Sequence, residues 1–571
     1  MENRDVARIL RETASLLEID GAFIGRYRSY ERTAELLDSL PESIAEIATD
    51  PARLEELPGI GERMAEHIQE ILKTGDYSLR KKLLKKYPAT ILDLLTLQSL
   101  GPKKVALLWK NFKAGTVEQV EKLAREGKLR DLAGFGEKSE QNILKAVEAF
   151  KRSSGRFLIN QADATAQKLI AYIAELGAKV ESVTAAGSLR RARETVGDLD
   201  LLVTFAKGQY SRKNVDAVAD HIVKYPEIEE ILVRGENKVS VRLKNTMQMD
   251  VRLLEKELNE YALATLKGER RVAGATEEEV YAKLKLDWIP PELRENTGEI
   301  EAAAEHRLPK LIELADMRGD LQMHTTASDG ANSIEEMGAA GRALGYEYIA
   351  LTDHSQAVTV ANGMDERRTL EQIKKIHAAN DRAQGIRLLA GIEVDIRKDG
   401  SLDLDDEVLA QLDVVVASVH SYMNIDRAAM TDRLLAAIEN PYTQILAHPT
   451  GRLLLRRDSF EYDFEKILEA ARRNGVVVEC NAAPERLDLK DVYLRMAKDR
   501  GVRVVISTDA HSTRGLGAMR FGVNMARRGW LEKRDVINTL PLGQFLAALR
   551  PKPGSGAAKP APATGKGKSK K

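Results

Sequence analysis

The chain of 571 residues carries 87 basic and 87 acidic side chains, so overall charge neither demands nor excludes a polyanionic partner, and only local clusters can point to one. An apolar content of 43% is ordinary for globular protein, and the length calls for three or more compact units. The single cysteine, Cys480, excludes a disulfide framework and a cysteine-rich zinc site. It suits a reducing cytoplasm, and neither a signal-peptide core nor a bilayer-spanning apolar run is present, so a monomer working away from membranes is expected.

Up to about Phe150 the pattern is helical with short glycine breaks. Leu57-Pro58-Gly59-Ile60-Gly61 runs into Glu62-Arg63-Met64, and Leu132-Ala133-Gly134-Phe135-Gly136 into Glu137-Lys138. Leu100-Gly101-Pro102-Lys103-Lys104 is a less complete copy, with Ser99 at the first glycine position. Glycines let a backbone approach a phosphate, and the following helix offers free N–H groups and a positive dipole end. These are helix-hairpin-helix elements. They nominate Gly59, Gly61, Arg63, Gly101, Lys103, Lys104, Gly134 and Gly136 as sequence-independent DNA contacts. The basic groups Arg80, Lys81, Lys82, Lys85, Lys86 and Lys103, Lys104, Lys110, Lys113 lie beside them.

From Ser153 the period changes. A helix over 162–176 is followed by β runs over 199–204, 239–243 and 249–253. Gly187-Ser188-Leu189-Arg190-Arg191 precedes Gly197-Asp198-Leu199-Asp200. On a strand, Asp198 and Asp200 share one face, and Asp250 begins a later strand that can lie alongside. Three converging carboxylates repel one another unless divalent cations sit between them, as in two-metal phosphoryl transfer. Gly187, Ser188 and Gly197 are nominated to cradle a triphosphate, with Arg190 or Arg191 to neutralise it.

From about Arg318 to Ala548, short β-branched runs alternate with helices, and most of seven runs end in histidine or an acid. They lead to His324, Asp353-His354, Glu393, His420, His448, Glu479 and Asp509-Ala510-His511. In parallel β/α barrels reactive groups sit at the C-terminal strand ends, so this set is expected at one mouth. Mixed imidazole and carboxylate donors suit zinc, manganese or iron better than magnesium alone. His221, His306 and His377 fall on helical stretches and are read as structural. Pro551 to Lys571 is a Pro, Gly, Ala and Lys tail expected to be disordered.

The hairpins, the Gly-Ser-x-Arg-Arg and Gly-Asp-x-Asp runs and Asp250 resemble the microbial DNA polymerase X family, and the C-terminal runs resemble its fused PHP domain. The resemblance covers nearly the whole chain. It implies a multidomain fold: an all-α helix-hairpin-helix N-terminal region (1–80, then a fingers-like 81–152), an α+β nucleotidyltransferase palm (153–255), a shortened thumb and linker (256–317), a distorted (β/α)7 PHP barrel (318–548) and a basic tail (549–571). It implies gap-filling DNA repair synthesis with magnesium or manganese on Asp198, Asp200 and Asp250. Its partners are deoxynucleoside triphosphates and gapped, nicked or 3′-ended DNA. For the barrel it implies a 3′–5′ exonuclease or phosphoesterase site with up to three manganese, zinc or iron ions. The carried-over ligands are Gln322, His324, Asp329, His354, Glu393, His420, His448, Asp509 and His511. Asp353, Asp395 or Glu479 are expected to support them.

Three departures qualify that likeness. Ala262 to Gly268 lacks an aromatic pair, and the chain passes almost directly from Glu269 to Val272, which implies a weakened polymerase or, alternatively, a DNA-end nuclease with a relic palm. His67 stands where related repair enzymes carry a Schiff-base lysine. Gln322 replaces the first histidine of a His-x-His pair, so one ion is expected to be held loosely.

Overall fold

The computed structural model describes residues 3–40, 43–97, 100–130, 132–153, 155–255 and 276–553. Ser99 and the stretch from Ala262 to Val272 therefore lie outside the described residues. The chain forms two compact units: Met1–Arg156 with Leu453–Asp458, and Phe157–Arg452 with Ser459–Lys571.

The first unit is helical. Its helices include Asn3–Ile19, Ile24–Ser39, Glu62–Thr74, Pro102–Phe112, Val117–Arg125 and Glu137–Ser153. In Glu62–Thr74, Met64, Ala65, Ile68 and Ile71 recur on one face and are buried, and Gly75 ends the helix in a left-handed conformation at φ 80°. These side chains join a single apolar cluster with Leu10, Leu37, Leu108, Val120 and Ile143.

The second unit begins with β1 (Phe157–Leu158), β2 (Val180–Ala185), β3 (Thr195–Val196), β4 (Asp198–Phe205), β5 (Ile228–Arg234), β6 (Lys238–Leu243) and β7 (Gln248–Glu255). β1 pairs with β3, and the other five form a mixed sheet ordered β2-β4-β7-β6-β5. Alternation decides its faces. Leu199, Leu201, Val203 and Phe205 of β4, with Met249, Val251 and Leu253 of β7, are fully buried against helices Ile159–Ala174 and Arg212–Ile222. The sequence reading found three of these five strands. β5 was missed because it is an edge strand whose Ile231 and Val233 remain exposed, so it carries no apolar alternation.

Residues 276–317, read as a remnant and linker, pack. Helices Glu277–Lys283 and Glu299–Ala304 bury Tyr281, Leu293, Ala302 and Ala303 with Ile289, Leu311 and Trp530.

The barrel consists of β8 (Gly319–Asp320), β9 (Tyr348–Leu351), β10 (Arg387–Asp395), β11 (Val414–Ser418), β12 (Ile445–Leu446), β13 (Val477–Asn481) and β14 (Val504–Ser507), paired in parallel in chain order. The first and last strands meet through a bridge between Met323 and Ala510. Tyr348, Leu389, Val414, Ile445, Val477 and Val505 fill the lower interior, where Phe545 and Leu549 join them. Leu549, Arg550 and Lys552 thus belong to the fold and not to a free tail: Arg550 donates to the Ile438 and Asn440 carbonyls, and Lys552 to that of Leu409. Among the described residues no helix is long and apolar enough to cross a membrane.

Candidate metal centres

In the mixed sheet β4 and β7 run parallel with Asp200 opposite Asp250, and Asp198 opposite Gln248. All three carboxylates therefore leave the face opposite the apolar core. Burial raises the pKa of Asp200, and the charges of Asp198 and Asp250 raise it further. Burial would also raise Asp250, but Lys238 first, with Gln248, outweighs it and holds that carboxyl below its ordinary value. Lys238 Nζ lies 2.7 Å from Asp250 Oδ2. Like charges gathered with one cation among them leave room for divalent ions.

Gly187 opens the short helix Gly187–Arg190 at φ 56°, and any Cβ there would overlap the Asp200 carboxylate. Glycine is therefore required twice over. Ser188 Oγ is buried without a hydrogen-bond partner, so it stays available to a ligand. Gly197 links β3 to β4. Arg190 is committed elsewhere: its guanidinium pairs with both carboxylate oxygens of Glu277, at 2.7 and 2.8 Å, and Arg294 grips the same carboxylate. Arg191 Nε donates to Glu295 at 3.2 Å.

Strand period builds the second site. Interior positions of β9 climb from Tyr348 through Ala350 and Thr352 to His354. Those of β10 run Leu389, Gly391, Glu393, and those of β11 run Val416, Ser418, His420. Apolar groups thus fill the floor, and imidazoles and carboxylates ring the top. Two expected strand ends fall inside strands instead. β10 continues past Glu393 to Asp395, and β13 past Glu479 to Asn481. An inward acid need not end a strand when it meets polar partners there.

Glu393 is the hub. Its Oε1 lies 2.9 Å from His448 Nε2 and 3.3 Å from His420 Nε2, and its Oε2 lies 3.3 Å from His354 Nδ1 and 3.4 Å from His324 Nε2. Asp509 Oδ1 lies 3.1 Å from His324 Nε2, and Asp329 Oδ2 lies 3.4 Å from His511 Nε2. Burial works against ionised Glu393, but His354 and His420 hold it well below the ordinary carboxylate value. His420, despite burial, is pushed up to about 9 by Glu393 and Asp395.

Three overlapping groups have donor atoms close enough for a common ion: His324, Asp329, His354 and His511; His354, Glu393 and His420; His324, Glu393 and Asp509. The residues fit metal on a further ground. Both amide atoms of Gln322, Nδ1 of His324 and of His354, and Oε2 of Glu393 are buried without a hydrogen-bond partner. Each such orphan costs about 1–3 kcal/mol unless a ligand satisfies it. His448 at φ 25° and Asp509 at φ 55° hold strained backbones, as ligand-bearing residues do.

The supporting layer is specific. Asp395 Oδ1 accepts from the backbone N–H of His420 and lies 3.2 Å from its Nδ1. Asp353 accepts from Thr325 N, Thr325 Oγ1 and Ser328 Oγ, which ties down the loop bearing Asp329. Glu479 accepts from the His448 backbone N–H at 2.6 Å. Sequence reasoning missed Asn481, which donates to Asp509 at 3.0 Å, and Arg486, whose Nε lies 3.2 Å from Asp509 Oδ2. Asn481 shares a face of β13 with Glu479, two residues on, so strand period is the signal that could have found it, whereas Arg486 lies in a loop that no period marks.

In the helical unit, Gly59 and Gly134 turn at φ 81° and 82°. A Cβ at Gly59, Gly61, Gly101, Gly134 or Gly136 would meet nothing within 4 Å, so these backbones are open to a ligand. Arg63 and Lys103 are exposed or half-exposed, whereas Lys104 donates to Ser139 and lies over the Phe135 ring. Lys81, Lys82 and Lys85 are exposed. Arg80, however, is held by Glu12 and Asp76, and Lys86 by Asp20, so internal ion pairs occupy them. His67 is half-buried between the rings of Tyr30 and Tyr77, with Nδ1 3.2 Å from Tyr30 Oη.

A model of the helix-hairpin-helix domain matches residues 1–77, and one of a SAM-like helix-hairpin-helix tandem matches 91–149. A DNA polymerase beta thumb model matches 248–295, starting in β7, and a PHP domain model matches 320–483. The DNA polymerase/3′-5′ exonuclease PolX of Bacillus subtilis (strain 168) is 35% identical over 581 residues, which covers 96% of this chain and 100% of the relative. A probable phosphatase of Thermoanaerobacter sp. (strain X514) is 27% identical over 231 residues, 38% of this chain and 89% of its own length. One from Acetivibrio thermocellus is 31% identical over 202 residues, 34% and 78% respectively.

Proposed function

Because the chain belongs to the family of the DNA polymerase/3′-5′ exonuclease PolX, we propose that it fills DNA gaps at the palm and trims or cleans DNA 3′ ends at the barrel. The observation that carries this reading is the pairing of two separate carboxylate-rich centres on one chain. One is a three-aspartate face, and the other is a barrel mouth whose hub, Glu393, faces four imidazoles.

At the palm, Asp198, Asp200 and Asp250 would hold magnesium or manganese. Gly187, Ser188, Gly197 and Arg191 receive the triphosphate of the incoming nucleotide. At the mouth, His324, Asp329, His354, Glu393, His420, His448, Asp509, His511 and, more loosely, Gln322 would hold up to three manganese, zinc or iron ions. Bound divalent cations supply Lewis-acid stabilisation of charge on phosphoryl oxygens. Asp395 orients the His420 ring, and Asp353 fixes the approach of Asp329. Residues 1–80 and 81–152 grip the DNA backbone, 153–255 form the palm and 318–548 the hydrolytic barrel.

The test is a gapped duplex incubated with the full-length chain, with and without nucleotides, in magnesium and in manganese. Asp198→Ala with Asp200→Ala should remove extension by more than about 100-fold and spare 3′-end hydrolysis, and Glu393→Gln should do the reverse. Absence of extension by the parent chain in both metals would replace this reading with that of a DNA-end nuclease bearing a noncatalytic palm.

A further inference from the structure

In the group His354, Glu393 and His420, Glu393 lies on β10 and the two histidines just past the ends of its neighbours β9 and β11, and the loops that follow form its rim. That rim exposes apolar surface. Tyr422, two residues beyond His420, is 61% exposed, and Val360, in the loop after His354, is 97% exposed. Lys398, in the loop after Asp395, places Nζ 5.7 Å from the centre of the Tyr422 ring.

Burial does not account for Tyr422. Its backbone sits at φ 51°, a region that disfavours side chains other than Asn, Asp or Gly, and its ring is largely open to solvent. Strain without packing gain is a sign of a functional constraint. The loop is nevertheless anchored: Arg433 donates to the Ser421 carbonyl at 2.9 Å, and the Ser421 hydroxyl lies 3.5 Å from Asp395, which also engages His420. A largely open aromatic ring on an anchored loop, with a lysine over one of its faces, can stack a base on the other and attract its phosphate.

We propose that Tyr422 is a stacking platform for an unpaired base at a DNA 3′ terminus, with Lys398 drawing in the neighbouring phosphate and Val360 bordering the path. The inference rests on the reading of the barrel as a phosphoesterase on DNA ends.

The probe is a single-stranded oligonucleotide with 2-aminopurine at its 3′ end, whose fluorescence is quenched by stacking. Its hydrolysis is compared with that of the same strand ending in an abasic residue. The full chain should quench the probe. Tyr422→Phe and Tyr422→Trp should keep the quenching. Tyr422→Ala and Tyr422→Asn should lose it, the latter because asparagine accepts the left-handed backbone while removing the ring. On the base-bearing strand kcat/KM should fall about tenfold in those two variants, with no change on the abasic strand. Quenching that survives in Tyr422→Asn, or equal losses on both strands, would overturn the proposal. Quenching without hydrolysis by the parent chain would refute the phosphoesterase reading and leave the platform standing.

Discussion

Single carboxylates decide which imidazoles are ready. Asp395 is almost fully buried and contacts both the N–H and the ring of His420, so it fixes that ring's orientation and raises its basicity. Asp395→Asn keeps the shape and removes the charge. Metal content measured by elemental analysis should drop, and 3′-end hydrolysis should fall about 10–100-fold with extension unchanged. Undiminished metal content in that variant would assign Asp395 to folding alone. At this scale part was legible: His324, His354, Glu393, His420, His448, Asp509 and His511 stand beside or just past apolar runs and lie near one another at the mouth, whereas Asp329 sits in a loop without such a run and was nominated through the resemblance alone. What could not be read was competition. Arg190 and Arg191 stand side by side next to a glycine turn, yet Glu277, 87 positions later, claims Arg190. Local pattern carries no record of a partner so distant.

At the level of elements, the segment after β7 is held to the palm by a charged clasp. Glu277 takes Arg190, Arg294 and the Trp288 indole N–H, and its carboxylate side chain is 8% exposed. Burial would raise its pKa, but hydrogen bonds from Arg294 and Arg190 bring it down to about 2 from an ordinary 4.5. A depressed carboxylate pKa contributes stability that is full above 4.5 and is lost as pH falls towards 2. Glu277→Gln should therefore cost about 3 kcal/mol at neutral pH, and the gap between variant and parent should close in acid, measured by denaturant unfolding from pH 7 to 2.5. A pH-independent gap would show that the charge is immaterial. The apolar period forecast β4, β6 and β7 because their buried faces alternate, and it failed for β2 and β5, whose residues are half-exposed. The helical hairpins were legible because their glycines are backbone requirements that sequence cannot hide.

Across the whole molecule, zero net charge conceals local polarity. Lys81, Lys82 and Lys85 project from a helix whose other cations are neutralised by Glu12, Asp76 and Asp20. DNA affinity should fall steeply with salt, and replacing those three lysines by alanine should lower the slope of log affinity against log salt by about 2–3. A slope left unchanged in a salt titration would move the contact to another surface. Length called for three or more compact units where the chain forms two, because segments that the sequence divides pack together: Trp530 of the barrel joins residues 281–311, and Leu549 closes the barrel floor.

The bridge between Met323 and Ala510 has one more implication. It is a seam where the two ends of the sheet touch, sewn by His324 N–H to the Ala510 carbonyl and by Asp509 N–H to that of Gln322. Gln322 and His324 line one lip of it, and Asp509 and His511 the other. Residues on both lips that held one ion would be riveted together by it. Chelators should thus loosen the barrel as well as silence it, lowering the melting temperature of the C-terminal transition in calorimetry, with recovery on adding manganese.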